Sequence, residues 1–174
     1  HANDNLNTQE LRTLLEESGD LIPFQFKEML SSILGMEELV VEDIMIPTSE
    51  VIGININDSF ENAKHIIESS SYSLLPVYKD SIDGILGVLH LKDSHSFLNL
   101  LKEKDDFKSI LMETYFVSQS TTLIKQLSEF QKSERNIGMV VDEYGEIEGL
   151  ISLEDIFAEI VGRFGNEKIE FEKE

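Results

Sequence analysis

The sequence predicts an α+β fold in which two copies of one βαββα-type unit pack sheet to sheet, preceded by short helices. Three observations predict it: a block of residues recurs at a fixed offset, short β-branched runs alternate with helical periodicity, and each copy places a turn between two apolar runs. Ile85-Leu86-Gly87-Val88-Leu89-His90-Leu91-Lys92-Asp93 aligns with Ile147-Glu148-Gly149-Leu150-Ile151-Ser152-Leu153-Glu154-Asp155, an offset of 62 (149 minus 87). Pro76-Val77-Tyr78-Lys79-Asp80 meets Gly138-Met139-Val140-Val141-Asp142 at the same offset, whereas Phe60, Ala63, Lys64 and Ile67 match Leu123, Gln126, Leu127 and Phe130 at 63, so one residue separates the copies there.

In chain order, Asn7 with Glu10 forms a capping-box pattern before Leu11, Leu14 and Leu15, and Gly19 ends that helix. A second helix follows Pro23, with Phe26, Met29, Leu30, Ile33 and Leu34 spaced as one buried stripe and Gly35 as its stop. In the second copy, Gly138 to Val141 and Ile147 to Ile151 flank Asp142-Glu143-Tyr144-Gly145-Glu146, a hairpin signal in which Gly145 can take positive φ. A lone unit of this size sits near the lower limit for independent folding, so the copies are expected to share a core. The expected division is a helical connector at 7–38, a first copy at 39–100, a second at 107–162 and an acidic tail at 163–174 leading to a further domain.

Composition narrows the function. The chain has 174 residues, 41% apolar, with 34 acidic against 14 basic side chains and a formal charge of -20, which opposes binding of DNA, RNA or anionic lipid. It has no cysteine, so neither disulfides nor thiolate metal sites are available, and a reducing compartment is expected. No apolar run is long enough to span a bilayer, and His1-Ala2-Asn3-Asp4 lacks a signal peptide's apolar stretch. The missing initiator Met suggests a piece of a longer chain.

The repeat resembles a tandem pair of CBS motifs of the CorC/HlyC and CNNM magnesium-transport type. Val41-Glu42-Asp43-Ile44-Met45-Ile46-Pro47 resembles the opening of a first motif, and Tyr78 to Asp93, through Ile82-Asp83-Gly84-Ile85-Leu86-Gly87 and His90-x-Lys92-Asp93, resembles its close. Val140-Val141-Asp142-Glu143-Tyr144-Gly145 followed by Gly149-Leu150-Ile151-Ser152-Leu153-Glu154-Asp155-Ile156 is similar to the second, and Ile160-Val161-Gly162 continues it. The resemblance implies a homodimeric regulatory module on the cytoplasmic side of the membrane, controlling a magnesium or cobalt transport or efflux domain. It also implies an adenosine nucleotide between the copies, AMP or ATP with or without Mg2+, and no organic prosthetic group.

For the second-motif cleft the resemblance implies Tyr115, Val117, Ile137 and Gly138 around the base, Asn136 beside them, Ser152 on phosphate and Asp155 on ribose; Arg135, entering the Ile137 to Val141 strand, is the nearest cation and is expected as a phosphate partner. A possible second cleft comprises Ile46, Pro47, Pro76, His90 and Asp93. On spacing alone Ser152-x-x-Asp155 reads first as a capping box, and the two readings are compatible. His90 stands where the second copy has Ser152, a bulkier group at a phosphate position. Ser73-Leu74 replaces a hydroxyl residue followed by Arg, and Asn136 and Gly138 replace His and Ala, in the resemblance.

Other chemistry is weaker. His90, Asp93 and His95 read as solvated surface rather than a metal site, and the 142–146 segment lacks the ligand alternation of a calcium loop. No phosphate-cradling Gly-rich loop with Lys, nucleophile elbow or zinc-protease His-Glu pair is present, so catalysis is not expected. Two alternatives stand beside the regulatory reading: a structural dimerisation unit with degenerate clefts, and, ranked last, an enzyme acting on nucleotides. Homodimerisation is expected through helix faces such as Ile66/Ile67 and Leu127/Phe130.

Overall fold

Each repeat folds as strand, helix, strand, strand, helix. The computed structural model describes residues 8–171. The first unit comprises β2 (Ile54–Asn55), α4 (Phe60–Ser69), β3 (Leu74–Lys79), β4 (Ser81–His90) and α5 (Ser94–Glu103). The second comprises β5 (Phe116–Ser118), α6 (Leu123–Ser133), β6 (Ile137–Val141), β7 (Ile147–Ser152) and α7 (Leu153–Phe171). In each, the first two strands pair in parallel across the intervening helix and the last two form an antiparallel hairpin. Local chemistry repeats too: Ser59 caps α4 by accepting from the Asn62 N–H at 3.1 Å, and Thr122 caps α6 by accepting from the Lys125 N–H at 3.3 Å. Such a cap contributes about 1 kcal/mol.

The hairpin turns differ between copies. In the second, Asp142 Oδ1 accepts from the Tyr144 and Glu146 N–H groups and Gly145 takes φ +81. In the first, the turn tightens around Asp80, at φ 66, whose N–H donates to Asn55 Oδ1.

Strand alternation produces three layers. Leu75, Val77 and Leu89 face α4 and α5, joining Ile54, Ala63 and Phe97 in one core. Val117, Val140 and Ile151 face α6 and α7, joining Leu123, Phe130 and Ile156 in another. Val88, Ile137, Met139 and Leu150 face inward, with Leu74, Ile82, Ile85 and Met112, and join the two sheets. The strands are therefore apolar on both faces because each sheet is covered on both.

One connection was not legible in the repeat. β1 (Ile46–Pro47), which precedes the first unit, pairs with β7 of the second: Ile46 lies opposite Leu150 and Pro47 opposite Gly149. Reciprocally, Met112, which precedes the second unit, exchanges both backbone hydrogen bonds with Val88 of the first, at 2.8 and 2.9 Å. Val88 and Leu150 are equivalent at offset 62, so the crossings are related by the same pseudo-two-fold as the repeats. The preceding short helix α3 (Val41–Ile44) crosses as well, burying Val41 in the second unit's core.

The leading helices α1 (Thr8–Glu17) and α2 (Phe24–Gly35) follow the predicted stops, Gly19 taking φ +57; Asn7, the expected cap, lies outside the described residues. The expected buried stripe of α2 needs correction. Phe26, Met29, Leu30 and Ile33 are exposed and Leu34 is half-buried, whereas Ser32 is buried and Gly35 lies beside Arg12 of α1; α2 also contacts α7. Periodicity identifies residues that share a face; which face meets a neighbour is a tertiary matter. Of the faces expected to mediate dimerisation, Phe130 is buried, whereas Leu127, Ile66 and Ile67 are half-buried, packing in part against the cores of their own units.

Candidate functional site

The two strand crossings leave a cleft beside the end of β7. Its volume is about 220 Å3. One wall is the segment after β1, with Glu50, Val51 and Ile52; another is the start of β3, from Tyr72 through Ser73 and Leu74 to Pro76. Ile46, Ile137 and Leu150 form an apolar floor, and Asn136, Ser152, Leu153, Glu154, Asp155 and Phe157 close the far side.

The first turn of α7 is held open toward this cleft by reciprocal bonds. Ser152 Oγ accepts from the Asp155 N–H at 3.0 Å, and Asp155 Oδ2 accepts from the Ser152 N–H at 2.9 Å. This is a capping box, as the spacing predicts. The Leu153 N–H donates to the Asn136 carbonyl at 2.9 Å, tying the helix start to β6. A carboxylate has about four lone-pair directions, so the box uses only part of the accepting capacity of the half-buried Asp155.

The equivalent position in the first unit is built differently. His90 Nδ1 accepts from the N–H two residues on, that of Lys92, at 3.1 Å, and a 3-10 turn over Leu91–Asp93 precedes α5. A side chain that caps two residues ahead tightens the backbone into that turn, and the Asp93 side chain makes no cap bond.

Of the first expected set, the cleft brings together Asn136, Ile137, Ser152 and Asp155, and it takes Ile46 and Pro76 from the second. Tyr115 and Val117 lie on the opposite face of the sheet: Val117 is buried in the second core, and the Tyr115 ring packs 5.8 Å from that of Phe130. Gly138 also faces away from the cleft, since a Cβ there would sit 2.5 Å from Val117 Cγ2. Alternation decides this: Ile137 points between the sheets, so Gly138 points toward the helices. Arg135 Nη1 donates to the Glu113 carbonyl at 2.6 Å, Pro47 pairs with Gly149, and His90 and Asp93 occupy the pseudo-equivalent end of β4. Sequence reasoning missed Glu50, Val51, Ile52, Tyr72 and Phe157 as wall residues. The repeat offset held a partial signal, because Leu74 aligns with Asn136.

Electrostatically the lining carries Glu50, Glu154 and Asp155 and, among the described residues, no Lys, Arg or His. The apolar floor, the exposed Tyr72 and Phe157 rings at the walls, and the Ser152, Asn136 and Asp155 polar groups suit a base and ribose. They do not suit bare polyphosphate.

Gly149 holds the cleft's outer strand in place. A Cβ there would lie 2.4 Å from the Ile46 carbonyl oxygen, which is backbone and cannot swing aside. Gly149→Ala is therefore expected to displace β1, with an overpacking cost of about 1–3 kcal/mol. Gly162→Ala, on α7 with nothing within 4 Å, is the control of opposite sign and should stabilise by about 0.5–1 kcal/mol. Urea denaturation of the two variants checks both.

A two-copy α+β module whose second copy ends in Gly149-x-x-Ser152-x-x-Asp155 beside an inter-copy cleft defines a paired CBS module. The pattern of the CBS domain matches residues 41–93 and 107–162, and the chain belongs to the CBS-domain family. Over 164 residues it is 39% identical to the UPF0053 inner membrane protein YfjD of Escherichia coli K12, covering 91% of this chain and 38% of that protein. Over 163 residues it is 33% identical to the magnesium and cobalt efflux protein CorC of Pasteurella multocida, covering 92% of this chain and 54% of that one. The chain thus spans about half or less of these two relatives.

Among solved structures, the CBS domain of the bacterial CNNM/CorC family Mg2+ transporter superimposes with a TM-score of 0.74 at 34% identity, covering 90% of this chain and 97% of that one. A CBS domain of the bacterial CNNM/CorC family Mg2+ transporter in complex with ATP gives 0.66 at 34%, covering 79% and 98%. A CBS-domain pair with bound AMP from Klebsiella pneumoniae gives 0.60 at 37%, covering 71% and 99%. No helix among the described residues is long and apolar enough to cross a membrane.

Proposed function

We propose that this chain is a regulatory module that binds an adenosine nucleotide, AMP or Mg-ATP, in the Ser152/Asp155 cleft and controls a magnesium or cobalt transport domain on the cytoplasmic side of the membrane. The observation that carries the reading is the capping box at the mouth of a cleft with an apolar floor, where Asp155 retains acceptor capacity suited to ribose hydroxyls and Ser152 lines the same cleft, suited to phosphate. AMP- and ATP-bound relatives support it. The module acts as a homodimer whose packing the ligand biases, which requires different ligand affinities for the two arrangements.

The binding role is preferred to an enzymatic one because Ser152 Oγ engages a backbone N–H rather than a general base. Saturating ligand, at about 100 times its dissociation constant, is expected to stabilise the protein by about 2.7 kcal/mol. Equilibrium dialysis and thermal unfolding with AMP, ADP and ATP, each with and without Mg2+, test this. Absence of binding at millimolar ligand would favour the second reading, a structural dimerisation unit with degenerate clefts, to which the lack of a cation among the described lining residues also points.

A further inference from the structure

A second concavity, of about 500 Å3, lies at the other end of β7, lined by Asp83, Ile85, Phe116, Gly145, Glu146 and Ile147. β7 runs from Ile147 at this groove to Ser152 at the nucleotide cleft, about 17 Å away at the usual rise per strand residue. The floor is apolar. Ile85 and Ile147 are the outer members of the inter-sheet core, and Phe116, at 52% exposure, lies beside them.

The rim is acidic. Asp83 and Glu146 are the two carboxylates of the lining, and Glu146 has an oxygen within 4.8 Å of those of Asp142 and Glu148, just outside it. Glu148 is held above the ordinary carboxylate range, first by desolvation and then by the charge and hydrogen bond of Asp142 and by the charges of Glu146 and Glu42. The ion pairs among the described residues, Lys64–Glu68, Lys132–Glu129 and Arg163–Glu159, all lie on helices and neutralise none of this rim.

We infer that this groove docks a short Lys- or Arg-bearing peptide segment, whose cations span the Asp83 and Glu146 rim while one apolar side chain rests on Ile85, Phe116 and Ile147. The occupant is a cytoplasmic loop of the membrane-spanning part, a source that rests on the transport reading above. Short cytoplasmic loops of membrane proteins carry an excess of Lys and Arg, the complement of this rim. A second copy fits poorly, because a two-fold contact would set the acidic rim against itself. An anionic lipid surface is repelled outright.

The probe is a labelled, lysine-rich peptide carrying a single leucine, titrated into the full chain at low salt and read by fluorescence anisotropy. It should bind, and Asp83→Lys/Glu146→Lys should weaken it about tenfold. Glu103→Lys/Asp105→Lys, the same charge change on exposed positions at the end of α5, should leave affinity within about twofold, below the worth of one exposed ion pair. Replacing the leucine with glycine should also weaken binding. Equal losses in both protein variants, or indifference to the leucine, would reduce the effect to general attraction by an acidic protein and overturn the inference. A dimer that Asp83→Lys/Glu146→Lys dissolves in light scattering would place a second copy in the groove and overturn it as well. AMP and Mg-ATP titrations on the same samples separate the two readings. Peptide binding without nucleotide binding sinks only the cleft, and the reverse sinks only the groove.

Discussion

Asp155→Ala is expected to weaken nucleotide binding by one to three orders of magnitude. In the proposed binding mode its carboxylate accepts from ribose hydroxyls, and hydrogen bonds to a charged group contribute roughly 1.5–3 kcal/mol each. The same side chain closes the capping box at the start of α7, with Oδ2 on the Ser152 N–H at 2.9 Å, so the variant also loses about 0.5–2 kcal/mol of helix stability. Bare melting temperatures would confuse these losses. The informative quantity is the ligand-induced shift, compared with that of Asp93→Ala, whose side chain makes no cap bond and lies outside the cleft. Asp93→Ala should keep nearly the full shift. If Asp155→Ala keeps it while Asp93→Ala loses it, the ligand occupies the pseudo-equivalent site at the end of β4.

Phe130→Ala is expected to cost about 3–5 kcal/mol, much of the 5–15 kcal/mol typical of a domain. Phe130 is 1% exposed at the centre of the second unit's outer core, where it meets Tyr115 and the side chains behind β6. Removing it leaves a cavity under the sheet that carries Ile137 and Leu150 on its other face, so nucleotide binding should fall with stability. Phe157→Ala separates the two effects: at 48% exposure on the cleft wall it should change stability little and ligand affinity more. The measurements are the urea midpoint, at unchanged m-value, and dialysis. A midpoint for Phe130→Ala near that of the parent would mean that the core collapses to refill the space.

The role of Gly149 connects the two results. It is the one position in the Gly149-x-x-Ser152-x-x-Asp155 set whose reason lies in another segment, because its missing Cβ admits the Ile46 carbonyl at van der Waals range. The set therefore does two things with one strand. Its first residue brings β1 over from the first motif, and its last two cap the helix that closes the cleft so formed.

By itself, the sequence determined the duplication, the order of elements within each unit, the hairpin at 142–146 and the capping box at Ser152 and Asp155. Each of these is local: periodicity, turn chemistry and i to i+3 spacing act within a few residues, and a repeat offset compares such local patterns. The resemblance to paired CBS motifs rested on the same short patterns and their order. Tertiary structure alone decided which residues share the cleft. Ile46 joins Ser152 and Asp155 because β1 pairs into the second unit's sheet, a contact between residues about a hundred positions apart, and Pro76 joins them from β3 of the first unit. Tyr115, Val117 and Gly138 turn toward the helices because strand register fixes every second side chain, and a register is set by the partner strand. The exposed apolar side of α2 has the same origin: helical spacing groups Phe26, Met29, Leu30 and Ile33, but the tertiary packing of this helix, which contacts α1 and α7, buries Ser32 instead.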